Sequence, residues 1–227
     1  ALAILVVVYV FNFIDRQILS ILAEEIQADL GISDSGIGFL YGTAFAVFYS
    51  VVGIPLGRLA DVWTRKNLIS IGLATWSFFT VLSGTAKSFF SLAFFRIGVG
   101  IGESSASPSA YSLLSDYFSP KVRTTVLAIY SSGVYIGSGI GLFLGGAIVE
   151  YWSTLFPDPS MAPFGIRGWQ AAFIAVGLPG LLLALVTWQI KEPKRGLSDG
   201  IETTQHPHPF KEMLKEMIGL TPFSLMG

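Results

Sequence analysis

Long apolar runs alternate with short charged segments along the whole chain. A helix that crosses a bilayer needs about 20 mainly apolar residues at a rise of about 1.5 Å each. Six stretches meet that requirement: residues 1–23, 36–59, 67–86, 89–114, 126–149 and 170–190. The first does not read as a leader, because no basic segment precedes it and Asn12, Asp15 and Arg16 interrupt its middle. Residues 199–209 are polar and punctuated by His206-Pro207-His208-Pro209, which predicts a linker. Phe210, Met213, Leu214, Met217 and Ile218 follow on one helical face, with Lys211, Glu212, Lys215 and Glu216 opposite. That pattern predicts a surface helix lying on the membrane or against the protein. The pattern therefore divides the chain into a six-helix bundle, residues 1–196, and a linker with an amphipathic helix, residues 197–227. His206 and His208 lack companion ligands and read as a loop, so no metal is expected. The chain starts at Ala1 and stops as another apolar stretch begins, so the expectation is a piece of a longer protein.

Composition agrees and narrows the classes. Hydrophobic residues make up 52% and charged residues 13%, against about 25% charged in soluble domains. The mean hydropathy is +0.64, so a soluble globule is excluded. A net charge of -1 offers no basic field for nucleic acid. The absence of cysteine removes disulfides, thiolate chemistry and Cys-ligated metals. Lys and Arg are distributed unevenly. Arg58, Arg65, Lys66, Lys121, Arg123, Lys191, Lys194 and Arg195 fall in alternate junctions, whereas only Lys87 and Arg167 fall in the others. The positive-inside rule places the richer set in the cytoplasm, with both ends of the chain on that side.

Four ionisable residues stand inside predicted spans: Asp15 and Arg16 in the first, Arg96 and Glu103 in the fourth. Each charge costs about 2.5–3.5 kcal/mol at a helix centre on insertion scales. Asn12, Asp15, Arg16 and Ser20 form one polar stripe at helical spacing, and Arg96, Gly100, Glu103 and Ser107 form a second. Two permanent salt bridges that merely fix packing are the plain alternative. Intramembrane charges more often mark transport pathways or proton relays. Six spans also divide into two triplets, as in transporters built from 3+3 inverted repeats, with a charged helix opening each triplet. The fold expected is all-α: six transmembrane helices as two inverted three-helix repeats.

Gly133, Gly137, Gly141 and Gly145 recur every fourth residue in the fifth span, which predicts close helix packing. Gly98-x-Gly100-x-Gly102 lacks the strand–turn–helix setting of a nucleotide loop, and no enzyme signature is present.

The segment Gly57-Arg58-Leu59-Ala60-Asp61-Val62-Trp63-Thr64-Arg65-Lys66 resembles the loop signature between helices two and three of the major facilitator superfamily, G-x-x-x-D-R-x-G-R-R/K. Gly57, Asp61, Arg65 and Lys66 match, whereas Val62 and Thr64 depart from it. Within that superfamily, Phe11-Asn12-Phe13-Ile14-Asp15-Arg16, Arg96 to Ser105 and Lys191-Glu192-Pro193-Lys194-Arg195-Gly196 resemble the spinster group of lipid transporters. Anion:cation symporters share the helix-one Asp-Arg and a similar helix-four Arg/Glu. The resemblance implies the N-terminal half of a twelve-helix transporter, with its C-terminal six-helix half as partner. It further implies an integral multi-pass protein, in a bacterial inner membrane on this reading. Expected function is proton-coupled alternating-access transport of a lysolipid or sphingoid-type substrate, driven by the proton gradient without a cofactor. Asp15 and Glu103 would carry protons, while Asn12, Arg16 and Arg96 would bind an amphipathic or anionic substrate. Gly57, Asp61, Arg65, Lys66 and Arg123 would form a cytoplasmic gate, with Asp61 capping a helix N-terminus or pairing with Arg123. Symport of small organic anions is the rival within transport; a six-helix channel or structural membrane protein is the rival outside it.

Overall fold

The computed structural model describes residues 1–199. The amphipathic helix expected at 210–218 and the His206/His208 loop lie outside the described residues. Nine α-helices run through the described part: α1 Leu2–Ile21, α2 Ala23–Leu30, α3 Asp34–Gly38, α4 Ala44–Val62, α5 Arg65–Ser83, α6 Phe89–Glu103, α7 Ala106–Tyr117, α8 Pro120–Leu155 and α9 Gly168–Trp188. A π-helical turn, Phe39–Thr43, joins α3 to α4 without a break in direction.

Local chemistry sets the boundaries. Gly31 ends α2 at a φ of 63°, a left-handed conformation that glycine adopts without a Cβ penalty. Ser88 and Ser91 cap α6 reciprocally, each hydroxyl accepting from the other residue's backbone N–H. Pro120 occupies the first turn of α8, where its missing N–H costs nothing.

Among the described residues, four segments are long and apolar enough to cross a membrane: Leu2–Ile21, Asp34–Val62, Pro120–Leu155 and Gly168–Trp188. The other two expected spans depart from that form. α5 has the length but opens on Arg65, Lys66 and Asn67 and carries Ser70, Ser77, Thr80 and Ser83 on buried positions. Those hydroxyls face other helices, so lipid does not dictate their polarity. The expected fourth span, 89–114, is corrected to two helices. α6 stops at Glu103 and α7 begins at Ala106, because Ser104 and Ser105 turn their hydroxyls back onto the Ile101 and Gly102 carbonyls. Ser107 therefore sits on a different helix from Arg96, and the second stripe is not continuous.

α1 packs along α8, and α5 packs between α6 and α9. Residue order along the α1–α8 contact shows that these helices run in the same direction: Gly133 meets Tyr9, Gly137 meets Val10 and Phe13, Gly141 meets Ile14 and Gln17, and Gly145 meets Ile21. Two buried apolar clusters form the core. One gathers Leu5, Val8, Leu73, Trp76, Val99 and Leu113; the other gathers Ile18, Leu22, Leu92, Trp169 and Phe173. The charged residues of α1 and α6 lie at the seam between them.

Candidate functional site

The four intramembrane charges meet in crossed pairs. Arg16 Nε donates to Glu103 Oε2 at 2.7 Å. Arg96 Nη1 stands 3.5 Å from Asp15 Oδ1, a distance that makes an ion pair but a poor hydrogen bond. The two pairs differ in exposure. Asp15, Arg96 and Glu103 are buried, whereas the Arg16 side chain is 27% exposed. The expected stripe Asn12/Asp15/Arg16/Ser20 accordingly splits, since Asn12 and Asp15 turn into the bundle and Ser20 is exposed. Asp15 and Ser20, five residues apart, lie about 140° apart around the axis on a 3.6-residue turn, and that offset separates interior from open face. Asp15 Oδ1 also accepts from Thr80 Oγ1 on α5 at 2.8 Å.

Arg16 is held by more than its carboxylate. Its guanidinium carbon lies 5.1 Å from the Phe13 ring, 4.8 Å from Phe45 and 5.1 Å from Tyr49. A cation over aromatic faces gains about 0.5–1 kcal/mol at exposed sites and more when desolvated. Towards the start of α1, Tyr9 stacks on Tyr130 at 4.4 Å and Tyr111 meets Tyr130 edge-on at 5.4 Å. This aromatic surround was missed by sequence reasoning, because one ring every few residues in an apolar run carries no distinguishing spacing.

Several polar atoms of this cluster lack hydrogen-bond partners among the described residues: Asn12 Nδ2, Asp15 Oδ2, Arg96 Nε and Nη1, and Glu103 Oε1. Each such buried group carries a desolvation penalty of about 1–3 kcal/mol. The network is therefore under-satisfied, and a proton, a water or a ligand group has something to gain there.

A second network closes the end of the bundle where α4, α7 and α9 finish. Arg65, 1% exposed, donates through Nε to Glu192 Oε1 at 2.8 Å and through Nη1 to Asp116 and to Ser112 O at 3.1 Å. Glu192 Oε2 accepts the Lys66 backbone N–H at 3.1 Å, which places a carboxylate at the N-terminus of α5. Arg195 Nη2 donates to the Ala60 and Trp63 carbonyls, both at 2.7 Å, and so caps the end of α4. Burial, then the neighbouring Arg65 charge, lowers the Arg195 pKa from its ordinary value.

The expected pair of Asp61 with Arg123 is corrected. Arg123 Nη2 donates to Ser115 O at 2.9 Å and to Asp199 Oδ1 at 2.8 Å, and Asp61 is exposed. The chain after α9 folds back over α7 and reaches Arg123 first. A Cβ at Gly57 would meet open space among the described residues. Asp116 and Glu192 are the partners that sequence reasoning did not assign; lying at span ends among other charges, they looked like ordinary solvated residues.

The profile described as Major Facilitator Superfamily matches residues 5–226. An MFS-type efflux pump of Mycolicibacterium smegmatis is 32% identical over 184 residues, covering 81% of this chain and 39% of that protein. A sphingosine-1-phosphate transporter of Danio rerio is 31% identical over 192 residues, covering 84% and 35%. Among solved structures, a bacterial homolog of the human lysosomal transporter spinster, inward-facing and occupied, superposes with a TM-score of 0.80 at 37% identity. That match covers 88% of this chain and 45% of the other. The chain thus spans under half the length of these relatives.

Proposed function

The chain belongs to the Major Facilitator Superfamily, whose members are membrane transporters and not enzymes, and from that premise we propose that it is one half of a proton-coupled transporter of amphipathic, lipid-like anions. The observation that carries this reading is the crossed pairing of Arg16 with Glu103 and Arg96 with Asp15 at the seam of the bundle. The spinster-like relatives support a lipid-like substrate, since one of them is named for sphingosine-1-phosphate.

The mechanism follows from competition for one cation. Arg keeps its proton under all ordinary conditions, so Asp15 and Glu103 are the groups able to cycle. A proton on Glu103 cancels the charge that holds Arg16. The guanidinium, still steadied by Phe13, Phe45 and Tyr49, is then available to a phosphate or carboxylate headgroup, which it binds in bidentate fashion. Release of the headgroup returns Arg16 to the ionised carboxylate. Arg96 and Asp15 repeat the exchange one layer deeper, with Asn12 Nδ2 as a further donor. Substrate and proton thus bias the same equilibrium, and each does so only by its differential affinity for the two states.

The C-terminal half would close the cavity from the open face of α1 and α4. Gly57, Asp61, Lys66 and Arg123 would belong to a cytoplasmic gate hinged on Arg65, in a protein of a bacterial inner membrane with both ends of this segment cytoplasmic. Transport by the full-length gene product in liposomes under an imposed pH gradient tests the substrate class. A lysolipid is expected to move with the gradient and a sugar acid is not. Gradient-driven movement of the sugar acid alone would transfer the protein to the organic-anion symporters.

A further inference from the structure

The end of the bundle opposite Arg65 contains a cavity. It measures about 280 Å³ and is lined by Glu25, Asp29, Trp152, Phe156, Arg167 and Trp169, among others. That volume lies below the range of about 300–1,000 Å³ usual for drug-sized ligands and suits a single headgroup. The walls come from α2, the last turns of α8 and the first turn of α9.

The depth of this cavity follows from α8. Gly137 packs on Val10 and Phe13 in the middle of α1, and Trp152 lies fifteen residues further along the same helix, about 22 Å at helical rise. The hydrocarbon half-thickness is about 15 Å and the headgroup layer ends at about 20–22 Å. The cavity therefore opens at headgroup level. Two Trp and a Phe at that level match the amphipathic belt of membrane interfaces. The loop beside it exposes Met161 and Phe164, the latter 99% accessible, as apolar groups with no cover among the described residues.

Most polar atoms in the cavity are committed. Trp169 Nε1 donates to Asp29 Oδ2 at 2.7 Å, and Arg167 Nη1 pairs with Asp29 Oδ1. Trp152 Nε1 donates to Ile166 O at 2.9 Å. Both indole N–H groups are thus already taken, and what the two side chains add to the lining is apolar. One acceptor is left over: Glu25 Oε2 is buried and has no donor among the described residues. Arg167 stands at the rim with its side chain 51% exposed and donors beyond the one given to Asp29. An unsatisfied carboxylate within aromatic walls and a guanidinium at the mouth complement a ligand with an N–H-bearing ammonium beside a phosphate.

We propose that this cavity binds the phosphoethanolamine headgroup of a membrane phospholipid, with the ammonium on Glu25 and the phosphodiester on Arg167. The site stands apart from the Arg16–Glu103 pair and does not depend on what is transported. A quaternary choline has no N–H to satisfy Glu25 Oε2, and a glycerol headgroup has no cation for it. One hydrogen bond to a charged group is worth about 1.5–3 kcal/mol, which corresponds to a preference of about tenfold or more.

Native mass spectrometry of the full-length gene product, titrated in detergent with phosphatidylethanolamine, phosphatidylcholine and phosphatidylglycerol, reads that preference directly. The expected result is one phosphatidylethanolamine bound about tenfold more tightly than either other lipid. Glu25→Gln should erase the preference over phosphatidylglycerol, and Arg167→Gln should weaken both phosphatidylethanolamine and phosphatidylglycerol. Equal binding of the three lipids by the unaltered protein would overturn the proposal without reference to any variant. So would a preference that survives in Glu25→Gln. Soluble phosphoethanolamine bound as tightly as the lipid would overturn the membrane source.

Discussion

Arg65 shows how much one side chain can organise. Its guanidinium reaches Asp116, Glu192, Ser112 and the Pro193 carbonyl, so it ties α5 to α7 and to the chain that leaves α9. Removing one partner of a buried pair leaves the other charges uncompensated, at a cost of about 3–5 kcal/mol. Asp116 and Glu192 retain some solvent, which places Arg65→Ala near the lower end of that range. Thermal unfolding of the variant in detergent should show a clear loss, whereas exposed Lys121→Ala should stay within about 0.5 kcal/mol of the parent. Of the residue-scale chemistry, the four intramembrane charges were legible because each interrupts an apolar run. Their crossed pairing was not, because spacing along one helix says nothing of rotation relative to another. The Asp61–Arg123 expectation failed for a related reason: Asp199 is far in sequence and near in space.

At the scale of elements, the glycine ladder of α8 sets the distance to α1. A Cβ at Gly137 would stand 2.8 Å from the Phe13 Cβ and against the Val10 carbonyl, whereas one at Gly139 would meet nothing within 4 Å. Gly137→Leu should therefore lower the yield of folded protein and its melting temperature, and Gly139→Leu should leave both unchanged. Equal losses at both positions would show that the ladder does not act through the α1 contact. The period of four made this face readable from sequence. The break between α6 and α7 was not readable, because hydrophobicity continues across it and the serine back-bonds that turn the chain resemble ordinary small residues. Similarly, α5 looked like a plain span, although its hydroxyls lie against neighbouring helices.

At the scale of the molecule, the unequal Lys/Arg junctions and the directions of α1 and α8 describe the same arrangement. Helices that run in parallel must both begin on one side. Single cysteines at Thr64 and Ser119 should then be protected from an impermeant thiol reagent in intact cells, and those at Ser88 and Ser160 should react. These 227 residues contribute no cysteine of their own to the labelling. Labelling of Thr64→Cys from outside would invert the orientation and, with it, the assignment of the Arg65 end to the cytoplasm.

The proposed proton coupling rests on two carboxylates, Asp15 and Glu103. Asp15→Asn and Glu103→Gln keep the size and shape of each side chain while removing its titratable proton. The decisive measurement is transport by these variants of the full-length gene product in liposomes, with and without an imposed pH gradient. Both variants should fold and bind substrate yet lose the component of transport that the gradient drives. If both retain the pH dependence of the parent, the crossed charges are fixed bridges and neither carries the coupling proton.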